Sequence, residues 1–168
     1  MPRIRRNELP DFKAEKGDLE QLFRELPTIV GTMAVNFYDG SFDREGFINK
    51  SIEKWAPRKG EDSKVKRSAR KGLLIDTGEL RKSIDFTPGI MEVTIFSDKP
   101  YAAAHNEGFK GTVSIPAHVR KQRDKEVKAH SRKMNIPQRQ FIGKSELLEK
   151  RIDHHVEKAL DKIFKNIL

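Results

Sequence analysis

The sequence predicts an α+β domain of two layers, a small antiparallel sheet packed against an N-terminal and a C-terminal helix. Three observations predict it. Leu19, Leu22, Phe23, Leu26, Val30, Met33 and Phe37 recur at spacings of three and four, which gives a helix with one apolar stripe. Leu148, Ile152, Val156, Ala159, Leu160 and Ile163 do the same near the C-terminus. Between them Ile84 and Phe86, then Met91, Val93 and Ile95, alternate with polar residues around Pro88 and Gly89, the pattern of a hairpin with one covered face. The chain has 168 residues, enough to bury one core without disulfides or metal, so a single domain is expected over 1–168.

Residues 1–17 read as a flexible basic arm; MPRIRRNELPDF has no apolar stretch after its arginines and is not expected to be a secretory signal. Asp18, with Gln21 three residues on, is a plausible cap for the first helix. Pro27 falls within the apolar phase, which predicts a kinked or tightly broken helix. From Asp39 to Lys71 the chain holds glycines, a proline and many charges, and Phe42, Phe47, Ile48 and Trp55 are scattered among them. This predicts an extended connection pinned by aromatic anchors, with a mobile basic end. Val113 and Ile115 suggest a further strand ended by Pro116, and Ser145 is a candidate N-cap for the last helix.

Only 36% of residues are hydrophobic and 35% are charged, so apolar positions must be concentrated on a few faces. No stretch approaches the roughly 18 uninterrupted apolar residues of a membrane span. The chain contains no cysteine, which removes disulfides and thiolate metal sites and fits a cytoplasmic protein. The net charge of +9 is gathered into two clusters, 58–71 and 120–133. Such clusters neutralise phosphates or form solvated loops. Neither contains an aromatic residue, so a stacking platform for single-stranded nucleic acid is not expected. The second cluster lies in a basic insert, 117–135, bounded by Pro116 and Pro137. The prolines discourage a continuous strand, so the insert reads as a protruding arm that orders on contact with an acidic partner.

Three short segments carry the most information. In Leu73–Ile84 (LLIDTGELRKSI), Asp76 and Thr77 can bond nearby amides, and Gly78 permits a sharp turn before Leu80. In Tyr101–Gly108 (YAAAHNEG), Ala102, Ala103 and Ala104 allow close backbone packing and Gly108 ends a helical turn. In Ile136–Gly143 (IPQRQFIG), Pro137 sets an extended entry, Phe141 and Ile142 plug the core and Gly143 leads into the last helix. In this order, with a strand pair between the first two and an amphipathic helix after the third, the segments resemble the phage virion morphogenesis, or tail completion, family. The matching positions are Trp55, Leu74, Thr77, Gly78, Leu80, Tyr101, Ala102, His105, Gly108, Pro137, Arg139, Phe141 and Gly143. Two departures stand out: the basic insert, and Gln138 where the family usually has alanine.

The resemblance covers about residues 19–168 and implies a structural protein of the head-tail junction or tail terminus. It implies a sixfold ring of the chain itself that contacts tail-tube and connector proteins. The site is then the virion, and the host cytoplasm during assembly, with no catalysis, no cofactor and no membrane. Arg120, Lys121, Arg123, Arg132 and Lys133 are the expected partner-facing or DNA-facing residues. One alternative is a basic nucleic-acid-binding module, which needs only the clusters. Another is a retroviral-type aspartic protease, because Asp76-Thr77-Gly78 resembles its catalytic loop and Phe141-Ile142-Gly143 its supporting segment. Such proteases are nearly all β, whereas this chain devotes two long stripes to helices. The histidines do not suggest a metal site: His154 and His155 are adjacent and diverge by about 100° on a helix, and His118 and His130 lack ligand spacing.

Overall fold

A computed structural model describes residues 13–58, 72–120 and 125–165. Its spine is one helix, α1 (Lys13–Arg44, 32 residues), against which a strand of the following hairpin, the central hairpin and the last helix pack. It begins before Asp18 and ends beyond Phe37, so Asp18 is not its cap and Asp39–Arg44 is not extended. Gln21 instead donates to Glu25 one turn on, at 2.9 Å. The helix continues because buried residues keep its phase: Ala34, Phe37, Tyr38, Ser41 and Phe42 face inward. Pro27 lies inside the helix without ending it. The carbonyl that loses its donor belongs to Phe23, which is 48% exposed, so water can satisfy that turn.

The connection after α1 contains a small hairpin, β1 (Gly46–Ile48) paired with β2 (Ile52–Lys54), that periodicity alone did not suggest. Phe47, Ile48 and Trp55 are buried, as expected of anchors. Residues 59–71, most of the first basic cluster, lie outside the described residues, as does 1–12 of the expected arm. Gly78, at φ 79°, leads into the one-turn α2 (Glu79–Lys82). The expected hairpin follows as β3 (Ile84–Pro88) and β4 (Val93–Ser97). Its register places Phe86 opposite Ile95 and Pro88 opposite Val93 on the covered face. That face lies on α1, where Phe86 packs directly over Gly31.

After α3 (Ala102–Asn106) come β5 (Phe109–Ile115), β6 (His118–Arg120), β7 (Lys125–Val127) and β8 (His130–Ile136). β5 pairs with β8 and β6 with β7 in a single register: Ile115 opposes His130, and His118 opposes Val127. The four strands are therefore one two-stranded ribbon with a gap at Pro116, which has no N–H to donate. At that gap the Nδ1 of His118 lies 3.1 Å from the Pro116 carbonyl, and that of His130 3.0 Å from the Lys128 carbonyl. The reading of 117–135 as an arm without a continuous strand is thus corrected. The flanking prolines sit at the break and the end of the ribbon, where no ladder bond is needed. α4 (Glu146–Phe164) closes the fold along α1, capped as expected by Ser145, whose Oγ accepts from the Leu148 amide at 3.2 Å. Its Arg151 guanidinium sits 5.3 Å from the Phe37 ring.

The fold is α+β, with helices at both ends of the chain. Its strands form the β1–β2 hairpin, the β3–β4 hairpin and the interrupted ribbon of β5–β8, and not one sheet.

Candidate interaction site

Most of the motif residues converge on one hub beside the base of the ribbon. Trp55 is buried against Phe42, their ring centroids 5.5 Å apart, and Phe42 in turn meets Phe141 at 5.4 Å. The Trp55 indole N–H donates to the Gln140 carbonyl at 2.6 Å, and the Tyr38 hydroxyl donates to the Gly143 carbonyl at 2.6 Å. Burial of that phenol outweighs its bond to the carbonyl and raises its pKa. Arg139 is buried and donates through Nε to the Ala56 carbonyl and through Nη2 to the Pro57 carbonyl, at 2.9 and 3.0 Å. Its own amide bonds the His105 carbonyl at 2.8 Å. Asn106 completes the clasp, its Oδ1 accepting from the amides of Phe141 and Ile142, both at 2.9 Å.

Each motif glycine in the hub has a local reason. Gly108 has φ 79°, and a Cβ there would press on the Gln138 backbone at 3.1 Å, which is where the departure from alanine falls. His105 has its Nδ1 buried without a hydrogen-bond partner. Burial first, and the nearby Arg139 charge second, lower its pKa below the ordinary value of 6.5. Tyr101 stacks edge-on against it at 6.2 Å and is 42% exposed. Ala102 is buried, and Leu74, Pro137 and Gly143 are half-buried.

Thr77 and Gly78 lie on the turn before α2, and Leu80 lies within α2. Thr77 Oγ1 accepts from the Glu79 amide at 3.4 Å and Leu80 is buried in the core. Asp76 is exposed on that turn. Its surroundings are a 32-residue helix and two-stranded hairpins, not the nearly all-β frame of a retroviral-type protease. Next to it the unforeseen Arg81 bridges Asp39 and Asp43, with Nη2 at 2.6 Å from Asp39 Oδ2 and 3.0 Å from Asp43 Oδ2. These hydrogen bonds lower the Asp43 pKa and raise that of Arg81. Among the described residues no group of three or more His, Asp or Glu is placed to hold a metal.

The ribbon beside the hub has two unlike faces. Its register puts Phe109, Val113, Ile115, Val119, Met134 and Ile136 on one face. None of these is buried; Phe109 is 37% and Val119 56% exposed. His130, Arg132 and Glu126 share that face, and the other carries Lys110, Thr112, Ser114, Ser131 and Lys133. Of the expected partner-facing residues, Arg132 and Lys133 stand exposed on β8, Arg120 ends β6, and Lys121 and Arg123 lie outside the described residues. The alternation of 109–115 with 130–136 was the available signal for this ribbon.

A sequence model of the phage virion morphogenesis family matches residues 52–161, a span that takes in every motif position above. The chain belongs to the phage virion morphogenesis family. The matched span starts at β2, so α1 and β1, which supply Phe37, Tyr38, Phe42 and Phe47 to the core, precede it. No curated protein and no solved structure matches the chain. No described helix is long and apolar enough to cross a membrane.

Proposed function

We propose that this member of the virion morphogenesis family is a ring subunit, sixfold by its resemblance, that completes the tail end or joins tails to heads. It acts by fitting between proteins, its own copies and those of the tail tube and connector, and performs no covalent chemistry. The observation that carries this reading is where the motif side chains go: Trp55, Arg139 and Phe141 are spent on holding the ribbon's base to α1 and the β1–β2 connection. Such an arrangement stiffens a scaffold from which a two-stranded arm projects. The virion is its place of action.

A second reading, contact with packaged DNA, is favoured by the lysines and arginines of the ribbon, since a two-stranded ribbon fits the DNA major groove. The deciding experiment for the first reading deletes the gene from its phage or prophage. The expected result is heads and tails that accumulate unjoined or incomplete, restored by the wild-type chain and by Asp76→Asn. Normal infectious particles without the chain defeat the structural reading. Loss of restoration specifically with Asp76→Asn, in a folded protein, points to catalysis instead.

A further inference from the structure

We infer that the ribbon of Phe109–Arg120 and Lys125–Ile136 is the arm by which one copy of this chain lies on the β3–β4 hairpin of a second copy. The inference rests on the ring-subunit reading and names the surfaces that would build the ring. A two-stranded hairpin alone is marginal in water, and this one leaves a whole apolar face uncovered by the described elements. Exposed apolar surface of this kind suits a protein partner.

The β3–β4 hairpin has the matching character. At its tip Ile90 is 98% and Met91 61% exposed, and Met91 is held at φ 55°, a conformation that non-glycine residues rarely adopt. On its uncovered face Phe96 is 40% exposed opposite Asp85. Charge supports the pairing: the hairpin, residues 84–97, contains Asp85 and Glu92 and no Lys or Arg. The described ribbon strands contain Lys110, Arg120, Lys125, Arg132 and Lys133 against Glu126 alone, with Arg132 and Glu126 on the face of Val113 and Val119. Packing ribbon on ribbon is disfavoured, because it brings two strand pairs of the same net positive charge together. Ribbon on hairpin is a head-to-tail contact between unlike patches, the kind that closes into rings.

The size of the contact is consistent with assembly on a template. The hairpin is the shorter partner, and its strands of 5 residues give a face about 17 Å by about 10 Å, or roughly 170 Å². That is well under the ~800 Å² per partner of a standard stable interface. A single contact is accordingly weak, and closure of a ring, in which each copy both gives and receives an arm, supplies the rest.

The chain contains no cysteine, so a cysteine pair reports on one contact without background. Met91→Cys and Val113→Cys are purified separately, mixed at high concentration and treated with a short bis-maleimide. The expected product is a mixed dimer, with much less from either variant alone. In sedimentation the wild type should self-associate, and Val113→Asp with Ile115→Asp should associate at least about tenfold more weakly, with an unchanged circular dichroism spectrum. Asp85→Lys mixed with Arg132→Glu, both on the faces proposed to meet, should associate better than either does with itself. A wild type that associates while the cysteine pair gives no mixed dimer overturns the assignment of surfaces and leaves the ring intact. A wild type that stays monomeric and binds duplex DNA through the ribbon overturns the inference in favour of the DNA arm. The gene deletion tests the ring-subunit role separately, by whether particles need the chain at all.

Discussion

Trp55 shows how much a single donor can fix in this fold. Its indole is the link between the segment after β2 and the backbone at Gln140, 85 positions later. Trp55→Phe keeps most of the apolar volume but leaves the Gln140 carbonyl without that donor in a part-buried place, a cost of about 1–3 kcal/mol. Trp55→Ala also opens a cavity and should cost about 3–5 kcal/mol; urea unfolding monitored by far-ultraviolet circular dichroism separates the two. His105 is the residue through which pH enters. Its folded pKa is lowered, so the neutral ring is the one the fold accommodates. The stability this contributes is fully present above the ordinary value of 6.5 and is lost as pH falls through the lowered folded value. Wild type should therefore unfold at lower urea at pH 5.5 than at pH 7.5, and His105→Gln should flatten that difference. An equal pH dependence in both proteins would show that His105 is not the group responsible. The three motifs were visible as sequence, but the partners of Trp55 and Arg139 were not, because they are carbonyls of residues far along the chain.

Among the elements, α1 and the two long hairpins answer to different forces. α1 survives Pro27 because its burial continues past it, and β3–β4 is held to α1 by Phe86 resting on Gly31. A Cβ at residue 31 would meet the centre of that ring, so Gly31→Ala, worth about 1 kcal/mol in helix propensity, should still destabilise by about 1–3 kcal/mol through overpacking. Thermal unfolding checks the sign: a raised midpoint would mean that Phe86 is free to move. The ribbon is the contrary case. It packs mainly on itself, and no residue of the buried core lies in β5–β8. Replacing residues 118–127 by Asn-Gly, which suits a two-residue hairpin turn, should leave the unfolding midpoint nearly unchanged while abolishing self-association. A large loss of stability would place the distal ribbon within the cooperative fold. The ribbon escaped the reading of 117–135 because charge and flanking prolines argued for an arm, while its strand character lies in a pairing between 109–120 and 125–136 that no single segment displays.

For the whole molecule, charge is distributed to match shape. The ribbon strands are basic, whereas the β3–β4 hairpin, which packs on α1, is acidic. Replacing Arg120, Lys121, Arg123, Arg132 and Lys133 by Gln should keep the circular dichroism spectrum and weaken assembly at low salt. The gap from wild type should narrow as salt screens the wild-type charges. Assembly indistinguishable from wild type at every salt concentration would remove charge from the account. By itself the sequence determined the α+β class, both helices, the β3–β4 hairpin, the turn at Gly78, the cap at Ser145, and the family, since each rests on local spacing or on the order of short motifs. Tertiary structure alone decided that α1 runs through Pro27 to Arg44, that the motifs meet in one hub, and that the basic insert is half of a ribbon with an uncovered apolar face. The reason is physical: periodicity records which side of a segment avoids water, but the partner that covers it, and the register in which two distant strands meet, is set by packing across the chain.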